Sequence, residues 1–199
     1  MNDKCDRRVT VDAELRVGGD GDARHIEGYA AVFNSWSVDL GGFTEKIERG
    51  AFDAVLATNP DVRALFNHDP NHVLGRTAAG TLQLYADKRG LRFKLDIPDT
   101  TAGRDLAVSV ERGDINQASF AFRVAEGGDS WSKNYAQRTI TDISDLRDIS
   151  PVTYPAYEKT KVQMNSADAI ASREAAKAEA QGKDQIVMTQ LDIATIAGG

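Results

Sequence analysis

The chain of 199 residues is long enough for one domain with a sizeable core and hardly long enough for two. Its formal net charge of −6 argues against a surface that coats nucleic acid, which would be basic. The single cysteine, Cys5, allows neither an internal disulfide nor a cysteine-based metal site. No apolar run approaches the roughly 18 residues of a membrane span, and residues 1–12 do not resemble a signal peptide. We therefore expect a soluble intracellular protein.

The first part of the chain predicts β-structure. Residues 8–17 alternate polar and apolar side chains with a period of two, which is typical of a half-buried strand. A glycine-rich break at 18–22 precedes residues 24–33, which predict the returning strand. Residues 49–57 place apolar side chains at helical spacing and predict a short helix.

The middle of the chain predicts further strands. Residues 62–68 form an apolar strand that carries His68 near its end, and Asp69-Pro70 is expected to terminate it. A meander is predicted next, with a turn at residues 87–90. Its three strands are residues 73–76, 81–86 and 90–97.

Residues 100–112 predict a helix, because apolar side chains share one face and Gly113 stands where a C-terminal glycine belongs. Residues 115–125 and 138–149 predict two more strands. About seven short strands with a few helices indicate an α+β, mainly β fold. We expect a closed or nearly closed antiparallel β-barrel packed by the helices.

The composition changes beyond about residue 162. Residues 166–180 are alanine-rich and charged, which predicts a marginal, solvent-facing helix with little to bury. Residues 181–199 show no clear periodicity. We therefore predict one folded domain at 1–162 and an appended, helical then flexible tail at 163–199.

One serine, Ser119, is a candidate nucleophile. Alternation along its strand places Phe120 and Phe122 on one face and Ser119 on the other, where small Ala121 leaves room for a peptide backbone. A serine hydrolase needs a hydroxyl, an imidazole and an orienting group that meet in space, whatever their separation in sequence. No Gly-x-Ser-x-Gly elbow surrounds Ser119. The pattern alone therefore also fits a serine that merely points away from a sheet.

His68 is the candidate general base, because a half-sheltered histidine at a strand end can have its pKa near working pH. It also fits two other roles, a structural histidine or one ligand of a metal site with Asp69 and His72. Pro70 opposes the helical register that would bring the two histidines onto one face. We therefore predict no metal and no cofactor.

The candidates for a third, orienting group are the carboxylates Asp142, Asp145 and Asp148. Alternation along residues 140–148 places Asp142, Leu146 and Asp148 on one face and Asp145 on the other. A turn-forming aspartate explains each of them equally well from the pattern alone.

Five segments, in order between about residues 24 and 162, resemble the signature blocks of the tailed-phage prohead proteases. These segments are Glu27-Gly28-Tyr29-Ala30-Ala31-Val32-Phe33-Asn34, Ile47-Glu48-Arg49-Gly50-Ala51-Phe52, Leu65-Phe66-Asn67-His68-Asp69, Ser119-Phe120-Ala121-Phe122 and Asp148-Ile149-Ser150-Pro151-Val152-Thr153-Tyr154-Pro155-Ala156. The resemblance implies a fold related to the herpesvirus assembly proteases. It also implies a serine endopeptidase with Ser119 as nucleophile and His68 as base.

The resemblance favours Asp148 as the third catalytic residue, because Asp148 belongs to a matching block. The herpesvirus relatives use a second histidine late in the chain, but this sequence has none after His72. The proline-bounded loop that follows Asp148 is expected to lie near the site, where the N–H groups of Val152 and Thr153 could bind an oxyanion.

The implied partners are the major capsid protein and scaffold protein as substrates. Self-cleavage and a homodimer are further expectations, as is a location in the host bacterial cytoplasm, inside the assembling procapsid. Two alternatives stay open. One is a catalytically inactive structural or scaffold protein on the same fold, and the other is a metal-dependent hydrolase built on His68, Asp69 and His72.

Overall fold

The computed structural model describes residues 5–10, 13–21, 24–154 and 168–181. The described chain is mainly β, with twelve strands and three α-helices. Within these ranges no helix is both long and apolar enough to cross a lipid bilayer.

The strands form three sheets. The five-stranded sheet contains, in spatial order, β1 (Asp6–Thr10), β9 (Gln117–Val124), β12 (Ile143–Val152), β5 (Arg63–Phe66) and β6 (Asp69–Arg76). The four-stranded sheet contains β2 (Arg16–Gly18), β3 (His25–Val32), β8 (Gly90–Asp96) and β7 (Leu82–Ala86). The three-stranded sheet contains β10 (Asp129–Trp131), β11 (Gln137–Ile140) and β4 (Thr44–Ile47).

The mainly β, α+β fold class is confirmed, but the closed antiparallel barrel is wrong. Among the described residues none of the three sheets closes on itself, and each has two edge strands. Two strand pairs, β12 with β5 and β11 with β4, are parallel. Local alternation predicts that a segment is a strand but not which sheet it joins, because sheet membership depends on distant partners.

Two predicted strands are each divided in the structure. The segment 8–17 contains β1 and β2, which belong to different sheets, and Glu14 between them has a left-handed φ of 49°. A residue in that conformation cannot continue a strand. The segment 138–149 contains the end of β11 and most of β12, again in different sheets.

The predicted helices and the predicted hairpin are present. Helix α1 is Asp53–Ala57 and helix α2 is Thr101–Glu111. The Thr100 hydroxyl caps α2 by accepting from the Gly103 amide at 3.1 Å, and Gly113 follows the helix with φ of 80°. Between β7 and β8, the Asp87 carboxylate accepts the amide hydrogen of Gly90 at 3.0 Å and closes the turn.

One hydrophobic core lies between the two larger sheets and α1. Phe52, the residue before α1, packs edge-on against Phe120 of β9 with ring centroids 6.0 Å apart, and Phe120 stacks on Phe122 at 4.9 Å. Phe93 of β8 belongs to the same buried cluster. These aromatic rings fill one face of β9 and fix its opposite face, which carries Ser119.

A second buried feature is a cluster of charged side chains beside β1. Arg138 donates to Asp129 at 2.6 Å, to Glu45 at 2.8 Å and to Asp6 at 3.1 Å, and Arg8 donates to Glu45 at 2.7 and 3.0 Å. Burial raises the pKa of Asp6. Burial also acts to raise the pKa of Glu45, but the two arginine charges outweigh it and the pKa lies below its ordinary value. Glu45 is therefore an ionised partner of both arginines.

The C-terminal helix α3, residues 168–181, packs on this charged cluster, so the expectation of a solvent-facing helix that does not dock is wrong. The Ala169 amide donates to Asp6 at 3.4 Å, and the Ser172 hydroxyl donates to Asp129 at 2.8 Å. Ala169 is fully buried against Leu40 and Phe43. Small side chains and hydrogen bonds hold α3, so hydrophobic periodicity alone did not predict the contact. Residues 155–167 and 182–199 of the predicted tail and loop lie outside the described residues.

Candidate active site

His68 lies in the two-residue turn of the β5–β6 hairpin. Phe66 pairs with Asp69, and the two residues between them have φ values of 54° for Asn67 and 58° for His68. Positive φ at both central residues defines the type I′ turn that suits hairpins, and Asn and His tolerate this conformation better than most residues. The predicted strand at 62–68 therefore ends at Phe66. The next strand begins at Asp69 rather than at residue 73, because Pro70 is tolerated in an edge strand.

Asn67 fastens this turn to the end of β12. Its backbone N–H donates to the Pro151 carbonyl oxygen at 3.1 Å. Its side-chain Oδ1 accepts from the Thr153 amide at 3.0 Å and from the Thr153 hydroxyl at 3.3 Å. Asn67 was not among the predicted site residues, although an asparagine between an apolar strand and a histidine is a recognisable turn signal.

Ser119 and Asp148 lie on neighbouring antiparallel strands. A bulge at Arg147 separates the pair Leu146–Phe122 from the pair Asp148–Ala121. Leu146 consequently faces the core, while Asp148 faces the same side as Ser119. The predicted shared face of Leu146 and Asp148 is therefore wrong, because an extra residue in one strand reverses the alternation beyond it.

The structure brings His68, Ser119 and Asp148 together. The imidazole Nε2 is 2.6 Å from Ser119 Oγ, and Nδ1 is 2.5 Å from Asp148 Oδ1. Both distances are short for hydrogen bonds of these groups. The exposed fraction is 1% for Ser119, and the side chains of His68 and Asp148 are 12% and 10% exposed. Water therefore has little access to either hydrogen bond.

A fourth polar side chain, Ser150, completes the group. Its hydroxyl donates to Asp148 Oδ1 at 2.8 Å and lies 3.3 Å from His68 Nδ1. Ser150 is 0% exposed. Ser150 was not among the predicted site residues, although a position two residues after Asp148 on a strand lies on the same face.

The other carboxylates and histidines have different partners. Asp145 binds Arg147 at 2.9 Å, and Asp142 precedes β12. His72 Nδ1 is 3.0 Å from Asp69 Oδ2. In the part of the chain that the structure describes, no three His, Cys, Asp or Glu side chains are grouped so that they could hold a metal ion.

The Thr153 N–H, one of the two considered as oxyanion donors, donates instead to Asn67 Oδ1 at 3.0 Å. Val152 is the last residue of β12 and pairs with Gln117 of β9. The loop that follows continues beyond Tyr154 into residues outside the described ranges.

The geometry suits proton transfer from a hydroxyl to an imidazole. A histidine that hydrogen-bonds a serine through one nitrogen and a carboxylate through the other can take the serine proton, while the carboxylate stabilises the imidazolium. The His68 tautomer that fits both contacts carries its proton on Nδ1, because an ionised carboxylate can only accept.

Comparison with known proteins identifies the family. Residues 11–175 match the family model described as caudovirus prohead serine protease. The chain is 31% identical over 162 residues to the prohead protease of Enterobacteria phage HK97, an alignment that covers 80% of this chain and 68% of that protein. It is also similar to the solved structure of the bacteriophage T4 capsid assembly protease, with a TM-score of 0.43 and 12% identity, over 75% of this chain and 99% of that one. The chain therefore belongs to the caudovirus prohead serine protease family.

Proposed function

We propose that this protein is a serine endopeptidase that cleaves capsid or scaffold proteins inside an assembling phage head. The observation that carries the proposal is the single imidazole of His68, which contacts Ser119 Oγ at 2.6 Å and Asp148 Oδ1 at 2.5 Å. Family membership supports the class of reaction, and the relative from phage HK97 bears the name prohead protease.

The proposed reaction follows the acyl-enzyme route. His68 Nε2 accepts the proton of Ser119 as Oγ attacks the carbonyl carbon of a backbone amide. The imidazolium then gives that proton to the departing amine nitrogen as the C–N bond breaks, and the acyl group stays on Ser119. A water molecule then gives a proton to His68 Nε2 as its oxygen attacks the ester carbonyl carbon. The imidazolium returns that proton to Ser119 Oγ as the ester C–O bond breaks, which releases the new carboxyl group and restores the free serine. Asp148 stabilises the imidazolium in both halves of the reaction.

A fluorophosphonate probe tests the nucleophile directly, because it reacts with an activated serine. The protein should be labelled once, at Ser119, and Ser119→Ala should take no label. Ser144→Ala is the matched control, since Ser144 is an exposed serine of β12. The phage's own major capsid and scaffold proteins are the substrates to use. Their cleavage should disappear in Ser119→Ala and persist in Ser144→Ala.

Other outcomes would replace this proposal. A folded protein that takes no label and cuts neither substrate would favour the inactive scaffold protein on the same fold. Cleavage that a strong chelator stops and zinc restores would favour the metal-dependent hydrolase. Near-normal cleavage by Ser119→Ala would refute Ser119 as the nucleophile.

The proposed place of action is the procapsid interior, where enzyme and substrate are enclosed at high concentration. Under that confinement the enzyme also meets other copies of itself. Self-cleavage outside the packed helix α3 is therefore part of the proposal, and intact-mass spectrometry of active and Ser119→Ala protein would detect it.

A further inference from the structure

Ser150 touches both of the groups that lie behind the nucleophile. Its hydroxyl donates to Asp148 Oδ1 at 2.8 Å, and the same carboxylate oxygen faces His68 Nδ1 at 2.5 Å. The distance from Ser150 Oγ to His68 Nδ1 is 3.3 Å. Asp148 Oδ1 therefore accepts hydrogen bonds from two donors, Ser150 and His68. Only His68 takes part in the proposed proton transfer.

The sheet holds Ser150 at this position. Its Cα pairs directly with that of Ser119 across the β9–β12 ladder, so the two serines are cross-strand neighbours. Asp148 lies two residues earlier on the same strand and therefore on the same face. The bulge at Arg147 comes before this stretch, and Asp148 to Val152 pair with β9 without a further shift in register.

Burial makes the Ser150 hydroxyl strongly dependent on its partner. The residue is 0% exposed, and a buried hydroxyl without a hydrogen bond is costly. A hydrogen bond from a hydroxyl to a carboxylate is charge-assisted and therefore stronger than one between neutral groups. It also restrains rotation of the carboxylate, because two donors on one oxygen define which oxygen faces the imidazole.

We propose that Ser150 is a positioning residue for the reaction: it holds the Asp148 carboxylate oriented so that Oδ1 faces His68 Nδ1. This inference rests on the proposed serine endopeptidase function. Ser150 acts through Asp148 and is a positioning residue rather than a catalytic one.

A double-mutant cycle tests this dependence. Ser150→Ala should lower kcat about tenfold, as expected for a lost hydrogen bond to a charged group, and change KM less than twofold. In an Asp148→Asn background the same change should cause no further loss, because an effect transmitted through the carboxylate disappears with it. Ser144→Ala removes a hydroxyl from the exposed side of β12 and should leave kcat unchanged. An equal tenfold loss in both backgrounds, or wild-type kcat in Ser150→Ala, would overturn the proposal.

Proton NMR gives a readout that needs no turnover. In folded Ser119→Ala protein the His68 Nδ1 proton should resonate far downfield, because it lies in a short hydrogen bond to Asp148. Adding Ser150→Ala should move this resonance, and Ser150→Thr, which keeps the hydroxyl, should restore it. An unmoved resonance in the folded double variant would refute the positioning role. Retained cleavage by Ser119→Ala would instead refute the proposed function, so the two failures are distinguishable.

Discussion

Asn67 Oδ1 accepts a hydrogen bond from the Thr153 amide at 3.0 Å, and this contact ties the turn that carries His68 to the end of β12. The same strand carries Asp148. The turn that carries the imidazole and the strand that carries the carboxylate are therefore hydrogen-bonded to each other, although they are far apart in sequence. Ser119 on β9 is joined to that piece through the ladder between β9 and β12.

The tie between Asn67 and Thr153 predicts that Asn67→Ala lowers both stability and activity. Alanine removes the acceptor and lacks the short polar side chain that lets asparagine adopt the left-handed conformation, which costs other residues about 1–2 kcal/mol. The unfolding free energy, measured in urea, should fall by about 2 kcal/mol in total. Asn67→Asp keeps both the acceptor and the tolerance for positive φ, so it should stay close to wild type. Equal damage in both variants would contradict the role of the Oδ1 acceptor.

His68→Ala should be as inactive as Ser119→Ala, and the double variant should be no worse than either single variant. The two groups act as a unit, so the loss of one removes the benefit of the other. Single-turnover cleavage assays at high enzyme concentration can compare the three residual rates. A double variant that is slower than both single variants by the product of their effects would mean that the residues act independently.

Replacing each of the three candidate aspartates by asparagine should lower kcat/KM by very different factors. Asp148→Asn should lower kcat/KM by about 10³- to 10⁴-fold, because an amide no longer stabilises the imidazolium or its correct tautomer. Asp145→Asn removes only a partly exposed pair with Arg147, so its effect should stay within about twofold. Asp142→Asn should be similarly mild. If Asp145→Asn were the most impaired variant, the assignment of Asp148 would be wrong.

The packing of α3 predicts that an alanine-to-aspartate substitution lowers the unfolding free energy much more at a buried position of the helix than at an exposed one. Ala169→Asp places a charge in a fully buried site beside Asp6, and should lower the unfolding free energy by about 3 kcal/mol or more. Ala175→Asp changes an exposed residue of the same helix and should stay within about 0.5 kcal/mol of wild type. Urea unfolding followed by tryptophan fluorescence is a suitable measurement, because Trp131 Nε1 donates to Ser172 of α3. Equal stability of the two variants would mean that α3 does not dock.

The buried charges predict a pH-dependent stability. Arg8 and Arg138 hold the pKa of Glu45 below its ordinary value of 4.5, against the effect of burial. The stability that Glu45 contributes is therefore present above pH 4.5 and is lost as pH falls through the lower pKa of the folded state. The raised pKa of Asp6 works in the opposite direction, since its contribution is fully present below 3.8 and is lost as pH rises through the folded pKa.

Glu45→Gln should therefore lose about 3–5 kcal/mol of unfolding free energy at pH 7, because it leaves two buried arginines short of a partner. The deficit relative to wild type should shrink in acid, where wild-type Glu45 also becomes neutral. Glu48→Gln is the control, since Glu48 makes an exposed contact with Lys46 at 3.5 Å. Urea unfolding at pH 7 and at pH 3 measures both differences. A deficit that does not change with pH would contradict the ionised state of Glu45.

Local signals in the sequence predicted the elements whose causes are local. The helix before Gly113 and the hairpin closed by Asp87 were both predicted, because capping and turn chemistry act over a few residues. Residues His68, Ser119 and Asp148 were selected from pattern and family resemblance, and the structure brings their side chains into contact. Their catalytic roles remain predictions.

Features that depend on distant partners were not predicted. The bulge at Arg147 changes which side chains face Ser119, and no residue type marks it in the sequence. Arg138 was assigned to a continuous strand, whereas its buried contacts with Asp6 and Glu45 span more than ninety residues. The docking of α3 was not predicted for the same reason. Hydrogen bonds to carboxylates that are distant in sequence hold this helix, and the helix has no periodic apolar face that the sequence would reveal.

Because α3 packs on the buried charged cluster, the stability of the molecule depends on whether the chain between β12 and α3 is intact. Residues 155–167 are the covalent connection between the end of β12 and α3. While that connection is intact, the contact between α3 and its site is intramolecular and does not depend on protein concentration. A cut within it would turn a unimolecular contact into a bimolecular one, so that dilution would release the helix and expose Asp6 and Asp129 to water. The melting temperature of a clipped molecule would then depend on protein concentration, whereas that of the uncut chain would not.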